Sequence, residues 1–354
     1  MKEKNFLWSG KKVVSGFFIT IAFLMSLVTA QTTLADTDDP TPANGSHYQY
    51  NEASYYDKST SSYYHGVWTD AKDAWNNTGA FTWNEDIDPN CLTFTSSVSE
   101  NTGAWADATG MTWNNVTVDN MGNQTGAKIY LNRYNLKKYG YSKQERTYVA
   151  EHELGHAMGL GHNEEGSESV MNPANRDYPI ETCDIDGVNA IYNSQSSLSS
   201  SSTVDIEYAK DYSGKNGVDT LKNDAQDILM GTITNSVPHT SDSEDGNTYT
   251  TQTLKISKSL KGNITGQIDF NQAGSDSVKV ENSQLLERGD SVIVMLNKDD
   301  AGNYYVIDDG QGIFLSQLSN NQVNNNLNDL KTDGGPSGFI RVSDQSSYME
   351  NTLQ

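Results

Sequence analysis

The stretch from His152 to His162, HELGHAMGLGH, constrains the fold more than any other part of the sequence. On an α-helix, His152 and His156 project from one face, so both imidazoles can bind one metal ion. A helix that continued to His162 would turn that side chain about 120° away from this face. Gly159 can adopt a positive φ without steric cost and so return the chain towards the metal. The motif therefore predicts a helix that ends at Gly159, with three histidines around one site.

The residues around this motif predict the start of the helix and a base beside the metal. Ser142 and Glu145 form a capping box, in which each side chain accepts a hydrogen bond from a backbone N–H. Glu153 follows the first histidine, so its carboxylate lies beside the metal and can hold a water molecule. A catalytic zinc has three protein ligands and one open position. A helix end that carries histidines without a metal is the alternative, because the shorter HExxH pattern is common by chance.

Two more helices and a strand are predicted in the same half of the chain. In the first helix, apolar residues recur at helical spacing up to Trp75, and Gly79 follows as a stop signal. The segment TCDIDGVNAIYN has helical spacing as well. GAKIYLN predicts a half-buried strand, because Ile129 and Leu131 occupy alternate positions.

A Ser-rich linker, residues 194–203, divides the chain in two, because nothing in SQSSLSSSST could build a core. From 204 to 342, short β-like runs such as DSVIVMLNK alternate with Gly, Asn and Asp clusters. This texture predicts a small all-β barrel or sandwich. Its LKISKSLKG and LERGDSVIVML stretches resemble OB-like barrels, and residues 343–354 are assigned to a tail. No catalytic group of side chains is evident in this half.

The N-terminus predicts export. Residues 1–35 combine four lysines, an apolar run from Val13 to Ala30, and small-residue stops at Ala30 and Ala35. This is the layout of a secretory signal peptide. An uncleaved membrane anchor is the alternative, because the run is long enough to span a bilayer. Residues 36–47 are acidic, contain two prolines and show no apolar pattern, which predicts a disordered stub.

The net charge limits the classes of partner that we expect, and the cysteine count limits the disulfides. The formal net charge of −22 repels phosphate backbones and anionic lipids. We therefore expect neither nucleic acid partners nor stable membrane association after the signal peptide is removed. Cys91 and Cys183 could form one disulfide in an exported protein, or remain two buried thiols.

The histidine motif and the later segment SVMNP, with Met171, resemble the metzincin metalloproteases, and specifically matrixins of the secreted bacterial type. The resemblance covers residues 48–193 and includes KIYLN before the zinc helix and DIDGVNAIY after it. It implies an α+β fold in which a twisted sheet with three helices precedes the small β-domain. It also implies one catalytic zinc on His152, His156 and His162, with Met171 in a turn beneath the metal.

The same resemblance implies a function. A zinc-activated water, with Glu153 as general base, would hydrolyse peptide bonds of extracellular proteins. The strand with Ile129 and Leu131 would be the edge strand to which an extended substrate pairs. We expect a secreted monomer with protein or peptide substrates. The alternative is a secreted adhesion protein with a vestigial protease domain, although every motif position is intact.

The sequence departs from the matrixin pattern at several positions. Asn163 stands where the family usually has Ser. His47 and His65 are the only further histidines of this region, too few for the structural zinc of vertebrate members, so one zinc is expected. The resemblance also implies calcium, with Asp107 and Asp119 as candidate ligands, although no EF-hand spacing is present.

No cysteine precedes residue 48, although a propeptide cysteine is the residue that keeps matrixins latent. One hypothesis is that Asp36, Asp38 or Asp39 takes its place at the zinc. An acidic disordered tail is the alternative. A protein that starts at Tyr48 and is no more active than one that starts at Asp36 would contradict the hypothesis.

Overall fold

The computed structural model describes most of the chain beyond the N-terminal segment. The predicted signal peptide, most of the linker and the predicted tail lie outside the described residues. The described residues are 39–163, 167–193, 203–210, 212, 216–240, 246–281, 283–316 and 339–342.

The first part of the structure is a mixed sheet with helices packed against it. The sheet order is β10 (Lys279–Val280), β6 (Thr203–Tyr208), β4, β5, β3, β1 and β2. Strands β4 and β5 are antiparallel, while β1, β2, β3 and β5 are parallel. The elements up to the linker are β1 (Glu52–Asp57), α1 (Ser62–Thr78), β2 (Thr82–Glu85), β3 (Phe94–Val98), β4 (Ala108–Val118), β5 (Gln124–Asn132), α2 (Arg133–Lys138), α3 (Lys143–Met158) and α4 (Thr182–Asn193).

The core of this part lies between the sheet and helices α1, α3 and α4. Trp68 and Trp75 of α1 are fully buried and pack in the same cluster as Leu131, Leu154 and Val188. Each buried apolar side chain of this size contributes about 1.5–3 kcal/mol to folding. The Trp75 indole N–H also donates to the backbone carbonyl of α3 at Glu151, over 2.8 Å. Helix α3 is therefore fixed on the sheet by both packing and a hydrogen bond.

The helix boundaries follow the predicted signals. Helix α1 is followed by Gly79 in the left-handed conformation, with φ 75°. Helix α3 begins after Ser142, where both hydrogen bonds of the capping box with Glu145 are present, and is followed by Gly159 with φ 111°. The segment predicted as a third helix forms α4. Helix α2 was not predicted, and its N-cap is the Asn132 side chain.

The second part of the structure contains a five-stranded β-barrel. Strands β9, β8, β7 and β11 pair in that order, and β12 pairs with both β9 and β11, which closes the barrel. The predicted fold class, an α+β domain followed by a small β-barrel, is therefore confirmed. The elements are β6 (Thr203–Tyr208), α5 (Gly217–Asp224), β7 (Asp227–His239), β8 (Tyr249–Lys261), β9 (Gln267–Ala273), β10 (Lys279–Val280), β11 (Ser291–Lys298), β12 (Tyr304–Val306), β13 (Ile313–Ser316) and β14 (Phe339–Arg341).

Two strands that follow the linker do not belong to the barrel sheet. Strand β6 pairs antiparallel with β4, and β10 pairs parallel with β6. The apolar side chains of Val204 and Ile206 in β6 join a buried cluster with Met111 and Tyr130 of the first part and Ala273 of the barrel. The expectation that residues 204–342 form a separate β-domain is thus corrected, because β6 extends the first sheet.

The prediction of a disordered stub is wrong for residues 39–47. Thr41 is buried and its backbone N–H donates to the carbonyl of Cys183. The Asn44 N–H donates to the carbonyl of Gly159, and Ala43 forms an isolated β-bridge with Leu160. Backbone hydrogen bonds order this segment, and they leave no apolar pattern in the sequence.

One smaller expectation differs from the structure, and the structure decides between the two alternatives for the cysteines. Strand β5 is not half-buried, since Tyr130 and Asn132 are as fully buried as the residues that alternate with them. Cys91 and Cys183 are both free thiols, Cys183 buried and Cys91 partly exposed, so the disulfide is not formed. No helix in the described part of the chain has the length and apolar character needed to cross a membrane.

Candidate metal centre

Helix α3 and the turn after it bring the three predicted histidines together. His152 and His156 are fully buried on α3, and the His162 side chain is 10% exposed. The ring centroids of His152 and His156 are 4.5 Å apart, and those of His156 and His162 are 4.7 Å apart. Gly159, in its left-handed conformation, turns the chain so that His162 completes the cluster.

The histidine rings are oriented so that a nitrogen of each faces a common point. His152 Nδ1 lies 2.7 Å from the carbonyl of Val170, and His156 Nδ1 lies 2.9 Å from that of Leu160. Each Nδ1–H therefore donates to a backbone carbonyl and leaves the Nε2 lone pair for a ligand, the usual arrangement of a metal-binding histidine. The two Nε2 atoms are 2.9 Å apart, and His162 Nε2 is buried with no hydrogen-bond partner among the described residues.

This arrangement fits a zinc ion. Nitrogens bound to one tetrahedral zinc at about 2.0–2.1 Å lie roughly 3.3 Å from one another, close to the spacing seen here. Burial and then the neighbouring histidines lower the pKa of His152 well below its ordinary value, and burial and then His162 lower the pKa of His156 to about 3. Both imidazoles are therefore neutral at physiological pH, the form that binds a metal.

The Glu153 carboxylate lies beside this cluster and is held from strand β4. The Thr112 hydroxyl donates to Glu153 Oε2 over 2.6 Å, while Oε1 has no hydrogen-bond partner in the described residues. Gly110 leaves room for the carboxylate, since a Cβ at that position would collide with it. Burial raises the pKa of Glu153 well above its ordinary value, and the hydrogen bond from Thr112 only partly opposes this. A carboxyl group with a raised pKa takes up a proton more readily than an exposed one, which suits a general base.

Met171 lies in a turn that packs against α3. Its side chain is fully buried and so close to Gly155 that a Cβ there would collide with its sulfur. The turn is tied to the histidine loop, because the Asn163 N–H donates to the Met171 carbonyl over 2.9 Å.

Residues 27–193 match the matrixin family model. The chain carries a matrixin domain. Matrixins are zinc metalloendopeptidases, and the cluster of His152, His156 and His162 with Glu153 is consistent with such an active site. The matched region begins upstream of residue 48, the predicted start of the domain. No curated protein matches the chain.

The matrixin domain contains a buried supporting residue that sequence reasoning missed. Asp184 of α4 accepts hydrogen bonds from the Ser169 hydroxyl, over 2.6 Å, and from the Val170 N–H, over 3.0 Å. Val170 in turn supplies the carbonyl that orients His152. Asp184 also accepts a hydrogen bond from Thr41, so the N-terminal segment contributes to this support. The signal available in the sequence was an aspartate in the first turn of the predicted helix.

The expected substrate strand is wrong. Ile129 and Leu131 lie on β5, which pairs with β3 on one side and with β4 on the other along this stretch. Both edges of β5 are therefore occupied within the matrixin domain. Strand β4, which carries Gly110 and Thr112 next to Glu153, is the outer strand of the domain on the side of the histidines.

Three carboxylates from the second part of the chain reach the matrixin site. Asp205 and Glu207 of β6 are fully buried, and Glu281, just after β10, has its Oε2 atom 3.0 Å from His162 Nδ1. Ligand atoms of His156, Asp205 and Glu281 lie within 4.8 Å of one another, as do those of His152, Glu153 and Glu207. None of these three was predicted, although TVDIEY alternates acidic and apolar residues as a half-buried strand does.

The carboxylates themselves favour a cation at this site. Burial first, and then the charge of Glu281, raise the pKa of Asp205 well above its ordinary value. Burial and then the charge of Glu153 raise the pKa of Glu207 well above its ordinary value. Neither oxygen of Glu207 has a hydrogen-bond partner in the described residues. Buried carboxylates are costly unless they are neutralised. A divalent cation on the histidines would neutralise them and fits this donor set.

The candidate calcium ligands are not brought together. Asp107 accepts a hydrogen bond from the Tyr139 hydroxyl, and Asp119 accepts from backbone N–H groups of its own turn, at Met121 and Asn123. Neither belongs to a potential metal-binding group among the described residues. Of the proposed latency residues, Asp39 is exposed, and Asp36 and Asp38 lie outside the described residues.

Proposed function

We propose that the chain is a zinc-dependent endopeptidase of the secreted bacterial matrixin type, a monomer that cleaves extracellular proteins. The observation that supports this most strongly is the orientation of the histidines. The Nδ1 atoms of His152 and His156 are held by backbone carbonyls, so the Nε2 atoms meet at one buried point next to Glu153. The apolar, lysine-flanked N-terminal segment supports secretion.

A zinc ion on His152, His156 and His162 would polarise the scissile carbonyl and make a nearby water more acidic. The chain's own residues carry the proton. Glu153 Oε1, which the described residues leave without a partner, takes the proton of the attacking water, while Thr112 holds Oε2 in place. Glu153 then returns the proton to the leaving amine.

The substrate would bind as an extended strand along the outer edge of β4. This edge lies next to Glu153, because Gly110 and Thr112 both contact the carboxylate. Main-chain hydrogen bonds to a sheet edge bind a peptide without regard to most of its side chains. This mode suits an enzyme that cleaves within unfolded or extended segments of proteins.

The variant Glu153→Ala tests this function. We expect cleavage of a proteome-derived peptide library, followed by mass spectrometry, to fall by about 10³-fold, because the general base is lost. Zinc content, measured by elemental analysis, should stay at one ion per chain, since Glu153 is not among the ligands. Glu168→Ala, at an exposed position near the Met171 turn, is the matched control and should cleave at the wild-type rate. Undiminished cleavage by Glu153→Ala would overturn the assignment.

A further inference from the structure

The outer edge of β4, where a substrate strand would lie, is occupied by the chain itself. Strand β6 pairs with β4 in antiparallel register from Ala108↔Tyr208 to Asn114↔Thr203. Within this ladder Thr112 is opposite Asp205 and Gly110 is opposite Glu207. The two β4 residues that contact Glu153 are thus covered by β6. A peptide bound in the proposed mode would have to replace it.

Strand β6 presents one face to the histidines and the other to the barrel side. The Asp205 Oδ2 atom lies 3.8 Å from His156 Nδ1, and a Glu207 oxygen lies within 4.8 Å of a His152 nitrogen. Asp205 is held in place by the Asn114 side chain, whose amide donates to Oδ2 over 2.8 Å. Ile206, on the opposite face, lies in the buried apolar cluster. The alternation of acidic and apolar residues in this segment therefore matches its two surroundings.

Glu281 joins β6 to the third histidine. Its backbone N–H donates to the carbonyl of Val204 over 3.0 Å, which fixes it to β6. Its Oε2 atom is 3.0 Å from His162 Nδ1, and its Oε1 atom lies over Gly161. The carboxylate therefore contacts His162 at Nδ1, the nitrogen that does not face the metal site, and joins the third histidine to β6.

Contacts away from β6 also hold the second part of the chain on the matrixin domain. The Asn101 side-chain amide donates to Asp300 over 3.1 Å, and the Tyr134 hydroxyl donates to the same carboxylate. The Ala104 N–H donates to the side-chain oxygen of Asn247 over 3.1 Å. The position of β6 thus depends on an extended set of contacts, as expected for a docked domain.

We propose that β6 and Glu281 form a built-in inhibitor of the matrixin domain, in which β6 occupies the substrate strand's place on β4 and the Glu281 carboxylate fastens β6 to His162. This regulation rests on the proposed proteolytic function. The closed form neither binds nor cleaves an extended peptide until β6 leaves β4.

Two variants of the full chain test the inhibitor. Ile206→Lys places a charge in the buried cluster and should release β6 without changing a residue that faces the histidines. Glu281→Gln keeps the shape of the side chain and removes its charge, so it should weaken the closed form even if the first variant folds poorly. The matched controls are Val237→Lys on an exposed part of β7 and Glu287→Gln at an exposed barrel position.

The first readout is binding, which does not require turnover. The probe is a fluorescein-labelled peptide of residues 201–210, which contains the β6 sequence, and fluorescence anisotropy is measured in the Glu153→Ala background. We expect Ile206→Lys to bind the probe at least about tenfold more tightly than the parent chain. Amide hydrogen exchange in β4 and β6 should speed up in the same variant, and both controls should behave like the parent.

The second readout is cleavage of the peptide library. With Glu153 present, kcat/KM should rise by about tenfold in Ile206→Lys and by a smaller factor in Glu281→Gln. Equal probe binding by the parent and Ile206→Lys would overturn the inhibitor, and so would self-cleavage of the wild type between residues 203 and 208. Tighter probe binding and faster exchange without any cleavage would instead contradict the proteolytic function. The inference that β6 covers the edge of β4 would still stand.

Discussion

The Thr112 hydroxyl on β4 lies 2.6 Å from Glu153 Oε2 on α3 and 3.0 Å from the Glu153 backbone carbonyl, so its one proton is shared between two oxygens of the same residue. The strand that would bind the substrate and the proposed base are therefore joined by one side chain. This bond aims Oε1 at the site, and it helps to keep the carboxylate in one rotamer. Thr112 is thus a positioning residue for Glu153.

Loss of this bond should lower the rate with little effect on substrate binding. We expect Thr112→Val to reduce kcat by about tenfold, because a hydrogen bond to a charged group contributes about 1.5–3 kcal/mol and part of it is recovered by relaxation. Thr112→Ser should restore most of the rate. Thr117→Val, on the exposed end of the same strand, is the control. A matching fall for Thr112→Ser, or a rise in KM alone, would contradict the positioning role.

A methyl group at Gly110 should disturb the site while the fold is kept. The added Cβ would collide with the Glu153 carboxylate, so Gly110→Ala should reduce kcat/KM strongly, by about 10²-fold, through displacement of the base. Gly66→Ala in α1 is the matched control, since no atom lies within 4 Å of its Cβ. That control should keep full activity and gain roughly 0.5–1 kcal/mol in the free energy of unfolding. Wild-type kinetics for Gly110→Ala would show that the carboxylate does not act from this position.

Asp184 should influence zinc affinity from a distance. Its carboxylate holds the Val170 N–H, and the Val170 carbonyl orients the His152 ring. We expect Asp184→Asn to weaken zinc binding by about 10–100-fold in a competition titration with a chromogenic chelator. Asp186→Asn, at an exposed position on the same helix, should bind zinc like the wild type. Unchanged zinc affinity in Asp184→Asn would leave Asp184 with only a role in stability.

The stability of the barrel should depend on pH through Asp309. Burial raises the pKa of Asp309 to about 7, although hydrogen bonds from the Ala273 N–H and the Ser283 hydroxyl lower it in part. The native state therefore binds this proton more tightly than the unfolded chain does. Stability from this group is complete below about pH 4 and is lost as the pH rises to about 7.

Removing the titratable carboxyl group of Asp309 should change how the free energy of unfolding depends on pH. Asp309 has a positive φ of 33°, which asparagine tolerates, so Asp309→Asn should keep the backbone. Relative to the wild type, the variant should gain roughly 2–4 kcal/mol in the free energy of unfolding between pH 4 and pH 8, measured by urea denaturation. Asp276→Asn, at an exposed position, should show no such gain. If the free energy of unfolding changed with pH in the same way in the wild type and in Asp309→Asn, the raised pKa of Asp309 would be contradicted.

The parts of the structure that were predictable depend on neighbours in the sequence. Helix α3 begins at the capping box of Ser142 and Glu145 and ends at Gly159, and each of these signals acts within one turn of helix. The spacing of His152 and His156 required only a helix, and His162 required only a turn at Gly159. Local chemistry therefore predicted the histidine cluster.

The parts that were missed depend on pairing between distant segments. Strand β5 resembled an edge strand, but strand order in a sheet is not encoded in any one strand, and β4 covers its second edge. The pairing of Thr112 with Asp205 joins segments on either side of the Ser-rich linker, and no local pattern specifies it. Thr41 is ordered by hydrogen bonds to α4, and these leave no hydrophobic periodicity to detect.

The claim that the chain is a zinc endopeptidase is tested most directly by one measurement. Cleavage of a proteome-derived peptide library is followed by mass spectrometry for the zinc-loaded, chelator-treated and zinc-restored protein, with wild type and Ile206→Lys run in parallel. We predict cleavage at the same bonds in the zinc-loaded and zinc-restored samples, faster in Ile206→Lys, and none after chelation. Cleavage that persists in the chelated protein, or that survives Glu153→Ala, would contradict the account.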